Sequence, residues 1–188
     1  MLPCTLEHLA SMIDATATAT ATATANPNPI IQGFSIDSRK TLEGDLFIAL
    51  KGARDGHDFL QDAANRGAKA ALVSRSTTIL PSVCVVNTQS ALTQLATRLR
   101  DDYRGVVFAL TGSQGKTSTR GFLRAILNRM ADSSKVLATQ GNLNNHLGVP
   151  LTMSCLRQKH QFALFELGAS ALGEIGQLTS IIRPKISG

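Results

Sequence analysis

The spacing of apolar residues predicts alternating helices and strands in the first half of the chain. After Thr5, a candidate N-cap, one helical face carries Leu6, Leu9, Ala10 and Ile13. Short apolar runs then predict strands at residues 46–50, 70–73 and 83–86, with a helix at 58–66 that Gly67 ends. These elements together predict a small α/β domain.

The same alternation continues in the second half. A helix capped by Ser90 is predicted, and its inward face carries Leu92, Leu95, Ala96 and Leu99. Strands follow at 106–110, 136–138 and 162–167, and a helix after the first of them places Phe122, Leu123, Ile126, Leu127 and Met130 on its buried side. Strands alternating with helices predict a mostly parallel sheet. We therefore divide the chain into a first domain at 1–86, a connecting helix at 87–104 and a second domain at 105–188.

Two segments break this pattern. Residues 16–25 alternate strictly between Thr and Ala before a Pro-containing stretch, and we interpret them as a low-complexity surface loop or a weak edge hairpin. At the other end, Pro184 ends a helical pattern where another strand is expected. The second domain is thus expected to be incomplete at residue 188.

Composition narrows the classes of partner. The chain has 188 residues, 43% of them apolar, and a net charge of +6, which suits an anionic ligand. It has no Trp and one Tyr, so the stacking platforms of single-strand nucleic-acid binding are not evident. The three cysteines are far apart in the sequence, which favours reduced thiols. The amino terminus is a poor secretory signal. No apolar run reaches the length of about 20 residues that a membrane-spanning helix needs. These features predict a cytoplasmic protein that neither binds nucleic acid nor inserts into a membrane.

A glycine-containing turn joins the strand at 106–110 to the next helix and predicts a phosphate-binding loop. It consists of Thr111, Gly112, Ser113, Gln114, Gly115, Lys116, Thr117 and Ser118. In such a loop, backbone N–H groups and the lysine contact phosphates, and the Thr hydroxyl reaches Mg²⁺. The common pattern would need Gly where Leu110 stands, so this loop is a shortened variant. ATP with Mg²⁺ is the predicted ligand, whereas a tight structural turn with a solvated lysine is the alternative.

Polar residues follow the next two strands. Glu166 ends the apolar run at 162–165 and is a second candidate ligand for Mg²⁺. An Asn- and Gly-rich loop at 141–150 offers amide donors and acceptors through Asn142, Asn144 and Asn145, although such residues are also common in any turn.

These segments together resemble the Mur ligase family. TGSQGKTS, GNLNNHLGVP and ELGASALGEI resemble its ATPase region, and DSRK, GDLFIALKG and DGHDF in the first half resemble its domain for the UDP-linked substrate. The resemblance covers nearly the whole chain except residues 16–31. It implies that domain 1–86 binds the UDP substrate and that 105–188 is part of a phosphate-loop ATPase domain.

The resemblance also assigns roles to residues. It implies that Lys116 and Glu166 are catalytic, that Thr117 and Glu166 hold Mg²⁺, and that the 111–118 loop, Asn142 and Asn145 bind ATP. The UDP substrate and acceptor would be held by Ser38, Arg39, Lys51, Gly52, Asp55, His57 and Asn144. For the first-domain residues, a helix-cap turn at DSR and a hairpin turn at Asp55 are equally good interpretations.

The GNLNN and ELGA segments favour the family member that adds D-alanyl-D-alanine to UDP-MurNAc-tripeptide through an acyl phosphate. The alternatives are a family member that adds meso-diaminopimelate or lysine, a relative resembling folylpolyglutamate synthase, and a non-catalytic nucleotide-binding fragment. The family's central domain continues past the equivalent of residue 188, so we expect the 188-residue chain alone not to ligate. We expect the full-length protein to be a monomer.

Overall fold

The computed structural model of the chain describes residues 3–13, 17–18 and 27–188. Two compact units divide between Leu95 and Ala96, inside a helix that spans Thr88–Asp102. This helix covers most of residues 87–104, the segment predicted from the sequence as a connecting helix. The domain boundaries at 86 and 104 stay predictions.

The first unit contains a five-stranded sheet. Its strands are β2 (Ala17–Thr18), β4 (Gly33–Ser35), β5 (Asp45–Ile48), β6 (Ala70–Val73) and β7 (Ser82–Cys84), in the order β2-β7-β6-β5-β4. All neighbours are parallel except β2, which pairs antiparallel with β7 at one edge. A separate antiparallel ribbon joins β1 (Cys4–Thr5) to β3 (Ile30–Ile31). The strands predicted at 46–50, 70–73 and 83–86 are therefore present as β5, β6 and β7.

Helices and buried aliphatic residues complete this unit. Helix α1 (Leu6–Met12) begins after Thr5, whose hydroxyl accepts a hydrogen bond from the His8 N–H, as the sequence predicts. A short 3-10 helix at Gly56–Phe59 leads into α2 (Leu60–Asn65). Helix α3 (Thr88–Asp102) follows β7, and its residues from Ala96 onward belong to the second unit. The hydrophobic core to which α2 contributes consists of Phe47, Ala49, Leu60, Ala63, Ala68, Ala71, Val73 and Leu80.

The second unit has a four-stranded, fully parallel sheet. Its strands are β8 (Val106–Leu110), β9 (Val136–Ala138), β10 (Phe162–Glu166) and β11 (Ile186–Ser187), in the order β11-β8-β10-β9. The helices are α4 (Lys116–Met130), α5 (Gly148–Ser154) and α6 (Glu174–Ile182). The strand expected after Pro184 is thus present as β11. Because the strands are parallel, the loops after β8, β9 and β10 gather at one edge of the sheet.

Two helix predictions are wrong in detail. The cap of α3 is Asn87, whose side-chain oxygen accepts the Ser90 N–H at 2.9 Å, so Ser90 lies inside the helix. On α4, Leu127 is buried, but Phe122, Ile126 and Met130 are 73%, 55% and 69% exposed. Helix α4 packs on β8, β9 and β10. The sheet covers a narrower strip of α4 than the apolar pattern suggests.

The Thr-Ala segment lies mostly outside the described residues. Ala17 and Thr18 form edge strand β2, in keeping with the edge interpretation, and nothing further is described up to residue 26. Within the described part of the chain, no helix is both long and apolar enough to cross a bilayer.

Candidate active site

The loop between β8 and α4 is open and relies on two glycines. Residues 111–115 are all exposed. Gly112 and Gly115 have φ values of 139° and 77°, in the left-handed region that other residues rarely adopt. A Cβ built at Gly115 meets nothing within 4 Å, so the requirement there is conformational rather than steric. The loop therefore leaves room for a ligand on its exposed side.

Lys116 begins α4 and turns back to this loop. Its ammonium group donates a hydrogen bond to the Gly112 carbonyl oxygen. The first N–H groups of a helix have no acceptors within it, and the helix dipole places partial positive charge at the same end. Backbone donors, the dipole and one ammonium group therefore converge on the loop, and this combination suits phosphate.

Glu166 ends β10 and is 3% exposed. Its Oε2 accepts a hydrogen bond from the Thr117 hydroxyl at 3.1 Å, and its Oε1 accepts one from the Asn144 side-chain amide at 3.0 Å. The Arg120 guanidinium lies 3.1 Å from Oε2. The two predicted metal ligands, Thr117 and Glu166, are thus in direct contact.

Two further residues, which the sequence motifs do not single out, belong to this cluster. Arg120 also donates to the Gly141 carbonyl oxygen at 3.1 Å, so it joins α4 to β10 and to the loop after β9. Thr139 is 2% exposed, and its hydroxyl accepts the Glu166 backbone N–H at 3.0 Å. Arg120 could have been found, because it follows Thr117 by three positions and residues at that spacing share a helix face.

The three candidate asparagines differ in their surroundings. Asn144 contacts Glu166, and its backbone carbonyl accepts the Gly168 N–H at 2.8 Å. The Asn145 side-chain oxygen accepts the N–H groups of residues 147 and 148 at 3.1 and 3.0 Å, at the start of α5. Asn142 is exposed. The structure therefore brings Asn144 into the Glu166 cluster, whereas the Asn145 side chain accepts the N–H groups that lead into α5.

The remaining loop residues surround this cluster. The Thr111 hydroxyl donates to the Leu167 carbonyl oxygen at 3.1 Å, which links the residues that directly follow β8 and β10. Ser113 and Gln114 are exposed in the loop, and Ser118 is exposed in the first turn of α4.

In the first unit, Ser38 and Arg39 follow β4 in a 3-10 helix. Asp37 caps this helix by accepting the Arg39 N–H at 3.1 Å, and its carboxylate also binds the Arg39 guanidinium at 2.9 and 2.8 Å. These contacts, chiefly the side-chain hydrogen bond, lower the pKa of Asp37 to about 2. Ser38 is buried, whereas the Arg39 side chain is 82% exposed.

The second group of candidates follows β5, the strand next to β4. Asp55 accepts the His57 N–H at 3.0 Å and lies 2.6 Å from Nδ1 of the same residue. Hydrogen bonds from the His57 backbone and side chain lower the pKa of Asp55. The Ser74 N–H donates to Nε2 of His57 at 2.9 Å, so the ring proton lies on Nδ1. Buried His57 has both nitrogens engaged inside the protein.

The loop that carries these residues is tightly folded at one point. Lys51 and Gly52 are exposed, and Lys51 forms an isolated bridge with Asp55. A Cβ at Gly56 would lie 2.8 Å from backbone atoms of Leu50, whereas a Cβ at Gly52 would come no closer than 4.0 Å to its nearest neighbour. Gly56 is therefore required for a close backbone approach.

The described residues contain no group of three or more His, Cys, Asp and Glu side chains that could hold a metal ion. Glu166 is linked to the phosphate loop through the Thr117 hydroxyl. A hard cation at Glu166 would draw on the Thr117 hydroxyl and on further oxygens from phosphate or water. The donor set fits Mg²⁺ bound together with a nucleotide.

Comparison with known proteins agrees with this architecture. A glycine loop and a strand-end carboxylate at the same edge of a parallel sheet define a phosphate-loop nucleotide-binding domain. The Mur ligase middle domain matches residues 110–187, and the Mur ligase family catalytic domain matches residues 30–100. The chain belongs to the Mur ligase family.

The relatives with curated names include UDP-N-acetylmuramoyl-tripeptide--D-alanyl-D-alanine ligases. That of Escherichia coli is 43% identical over 157 residues, covering 82% of this chain and 34% of the relative. That of Bacillus subtilis is 36% identical over 189 residues, covering 98% and 40%. The chain thus spans between a third and two fifths of the length of these relatives.

Solved structures show the same similarity. MurF from Acinetobacter baumannii aligns with a TM-score of 0.84 and 37% identity, covering 99% of this chain and 40% of that one. MurF ligase from Thermotoga maritima, in complex with ADP, aligns with a TM-score of 0.66 and 34% identity, covering 79% and 35%.

Proposed function

We propose that the chain forms the nucleotide-binding and UDP-substrate-binding parts of an ATP-dependent ligase that joins D-alanyl-D-alanine to UDP-MurNAc-tripeptide. The observation that carries this proposal is the contact between Thr117 and Glu166. It joins the phosphate loop, which follows β8, to a buried carboxylate at the end of the neighbouring strand β10. The names of the MurF relatives supply the substrates. The ADP complex of the Thermotoga maritima relative supports the nucleotide.

In this proposal the loop holds the phosphates of ATP. Backbone N–H groups of residues 112–117 contact phosphate oxygens, and the Lys116 ammonium leaves the Gly112 carbonyl to meet the β- and γ-phosphates. Ser113, Gln114 and Ser118 line the exposed side, and Thr111 fixes the loop to the residue after Glu166. Asn142 lies on the neighbouring loop.

Thr117 and Glu166 are the proposed holders of Mg²⁺. When bound, the cation would neutralise negative charge on the phosphates during transfer. The buried position of Glu166 strengthens its electrostatic interactions, and Asn144 orients the carboxylate through Oε1. Asn145 contributes by fixing the start of α5.

The chemistry follows from the poor reactivity of a carboxylate. Transfer of the γ-phosphoryl group of ATP to the terminal carboxylate of the tripeptide gives an acyl phosphate and ADP. The amine of D-alanyl-D-alanine then attacks the acyl carbon, forms the amide bond and releases phosphate. This chain contributes charge stabilisation through Lys116 and positioning through the phosphate loop.

Residues after β4 and β5 are proposed to hold the UDP substrate. The carboxyl ends of these adjacent parallel strands lie at the same sheet edge. In this proposal Ser38, Arg39, Lys51 and Gly52 act together there. The exposed Arg39 guanidinium suits the diphosphate. Asp55 and His57 support the loop of Lys51 and Gly52 from inside. Use of ATP and a UDP-linked precursor favours a cytoplasmic location, and we propose a monomer for the full-length protein.

Calorimetric titration of the chain with ADP, with and without Mg²⁺, tests the nucleotide site. Lys116→Ala is expected to weaken ADP binding by about tenfold or more, as loss of a charged hydrogen bond predicts. Thr117→Ala and Glu166→Gln are expected to remove most of the gain that Mg²⁺ gives. Lys159→Ala removes an exposed charge elsewhere in the unit and serves as the control. Equal ADP affinity for Lys116→Ala and Lys159→Ala contradicts the phosphate-loop assignment.

A chimera tests the ligation. Residues 1–188 would replace the corresponding part of the Escherichia coli relative, and phosphate release would be followed with UDP-MurNAc-tripeptide and ATP. Release that depends on D-alanyl-D-alanine supports the proposal. Release that instead requires UDP-MurNAc-dipeptide with meso-diaminopimelate or lysine supports the alternative family member. Ligation by the purified 188-residue chain would contradict the expectation that this part alone is inactive.

A further inference from the structure

The environment of Glu166 contains a cation supplied by the chain itself. Arg120 extends from α4 to place a guanidinium nitrogen 3.1 Å from Glu166 Oε2, and this pair is enclosed, with side-chain exposures of 15% and 4%. The same nitrogen donates to the Gly141 carbonyl at 3.1 Å. The contact is therefore a partly desolvated ion pair, stronger than an exposed surface pair.

In this ion pair Arg120 contacts Glu166 Oε2, the oxygen that a metal ion bound to both Thr117 and Glu166 would need. Oε2 is the oxygen that contacts the Thr117 hydroxyl, and the guanidinium shares it. Oε1 is taken by the Asn144 amide. A divalent cation bound to Glu166 and Thr117 would compete with Arg120 for Oε2 and would also be repelled by its charge.

We propose that Arg120 is a positioning residue that neutralises Glu166 when no metal is bound and gives up Oε2 when a divalent cation arrives. The inference rests on the proposed metal role of Thr117 and Glu166. Its physical reason is that a buried carboxylate without a counter-ion is costly, so the guanidinium keeps the site folded and the charge compensated. The cost is weaker metal binding in the absence of nucleotide, because metal entry requires the ion pair to break.

Binding of Mn²⁺ to the nucleotide-free chain tests this directly, with free Mn²⁺ measured by electron paramagnetic resonance. Arg120→Met is expected to bind Mn²⁺ about tenfold more tightly than the wild type, within the usual range of coupling between two sites. Arg124→Met removes the same charge from an exposed position one turn further along α4 and is expected to leave the affinity unchanged. Arg120→Lys keeps the charge and is expected to remain close to the wild type.

A double variant locates the metal. Arg120→Met combined with Glu166→Gln is expected to lose the tenfold gain, because the additional Mn²⁺ binds at Glu166. If Arg120 only holds the fold together, Arg120→Met will bind Mn²⁺ no more tightly than Arg124→Met, and the inference is wrong. Persistence of the gain in the double variant also overturns it.

A measurement on the wild type avoids dependence on the folding of a variant. The side-chain Nε–H resonance of Arg120 is expected to shift on addition of Mg²⁺, while that of Arg124 stays in place. An unchanged Arg120 resonance at Mg²⁺ concentrations that saturate the site overturns the inference. The ADP titration with Lys116→Ala judges the nucleotide site separately, so failure of the Arg120 inference is distinguishable from failure of the proposed function.

Discussion

Thr139→Val tests how the chain fixes Glu166. Strand β9 ends at Ala138, and the Thr139 hydroxyl accepts the Glu166 N–H at 3.0 Å at the point where the pairing of β10 with β9 ends. Valine has nearly the same shape, so the change removes the acceptor without opening a cavity. Thr139 is 2% exposed and Glu166 is 3% exposed. In the Thr139→Val variant the buried Glu166 N–H therefore loses its acceptor.

The expected loss follows from that burial. Leaving a buried donor unsatisfied costs about 1–3 kcal/mol, which corresponds to roughly a 5- to 150-fold shift in the unfolding equilibrium. Displacement of the Glu166 backbone should also reduce the effect of Mg²⁺ on ADP binding. Both losses are expected in the same variant, because one hydrogen bond positions the strand end and the carboxylate.

The assay can observe the second unit alone. The chain has one tyrosine and no tryptophan, and Tyr103 is buried among the residues of this unit. Urea unfolding followed by tyrosine fluorescence therefore reports on residues 96–188. Thr119→Val, an exposed position on α4, is the control and should change the free energy of unfolding by less than about 0.5 kcal/mol. An unfolding midpoint for Thr139→Val equal to that of this control refutes the reasoning.

Three further outcomes are expected. Burial raises the pKa of Tyr103 to about 12, so phenolate absorbance of the native chain should titrate near that pH and well above the midpoint in denaturant; its contribution to stability is present below its ordinary pKa and lost as pH rises towards 12. A native midpoint equal to the denatured one would contradict its burial. Arg39→Gln should raise the pKa of Asp37, measured by carboxyl NMR, from about 2 towards 3.8, and in the wild type the stabilising contribution of Asp37 is present above pH 3.8 and lost as pH falls towards 2. An unshifted pKa would remove Arg39 as the cause. Gly56→Ala should destabilise the first unit by about 1–3 kcal/mol, since its Cβ would overlap backbone, whereas Gly52→Ala should have little effect in thermal unfolding monitored by NMR; equal losses would show that the close approach relaxes.

The general architecture was predictable because it depends on local patterns. Alternating apolar runs and helical spacing are enough to predict a parallel sheet, and the glycines before Lys116 indicate the open turn that joins β8 to α4. The position of Glu166 directly after an apolar run likewise predicts a strand-end carboxylate. The contact between Thr117 and Glu166 then follows from the parallel arrangement of β8 and β10.

Other features depend on partners that are distant in sequence. The exposure of Phe122 on α4 depends on how much of the helix the sheet covers. The engagement of both His57 nitrogens requires Ser74, which is 17 residues away. Asn145 accepts N–H groups where the chain turns into α5, whereas Asn144, one residue earlier, reaches Glu166. A pattern of residue types does not separate these two asparagines.

The alignment of β8 with β10 determines the spacing between the phosphate loop and Glu166. Glu166 stands opposite Leu110, so the phosphate loop starts one residue beyond the level of the carboxylate. A shift of one residue between these strands would turn the Glu166 side chain to the other face of the sheet and separate it from Thr117. Substitutions deep in either strand are therefore expected to disrupt the proposed nucleotide site without changing any polar group, because the two backbones could shift in register.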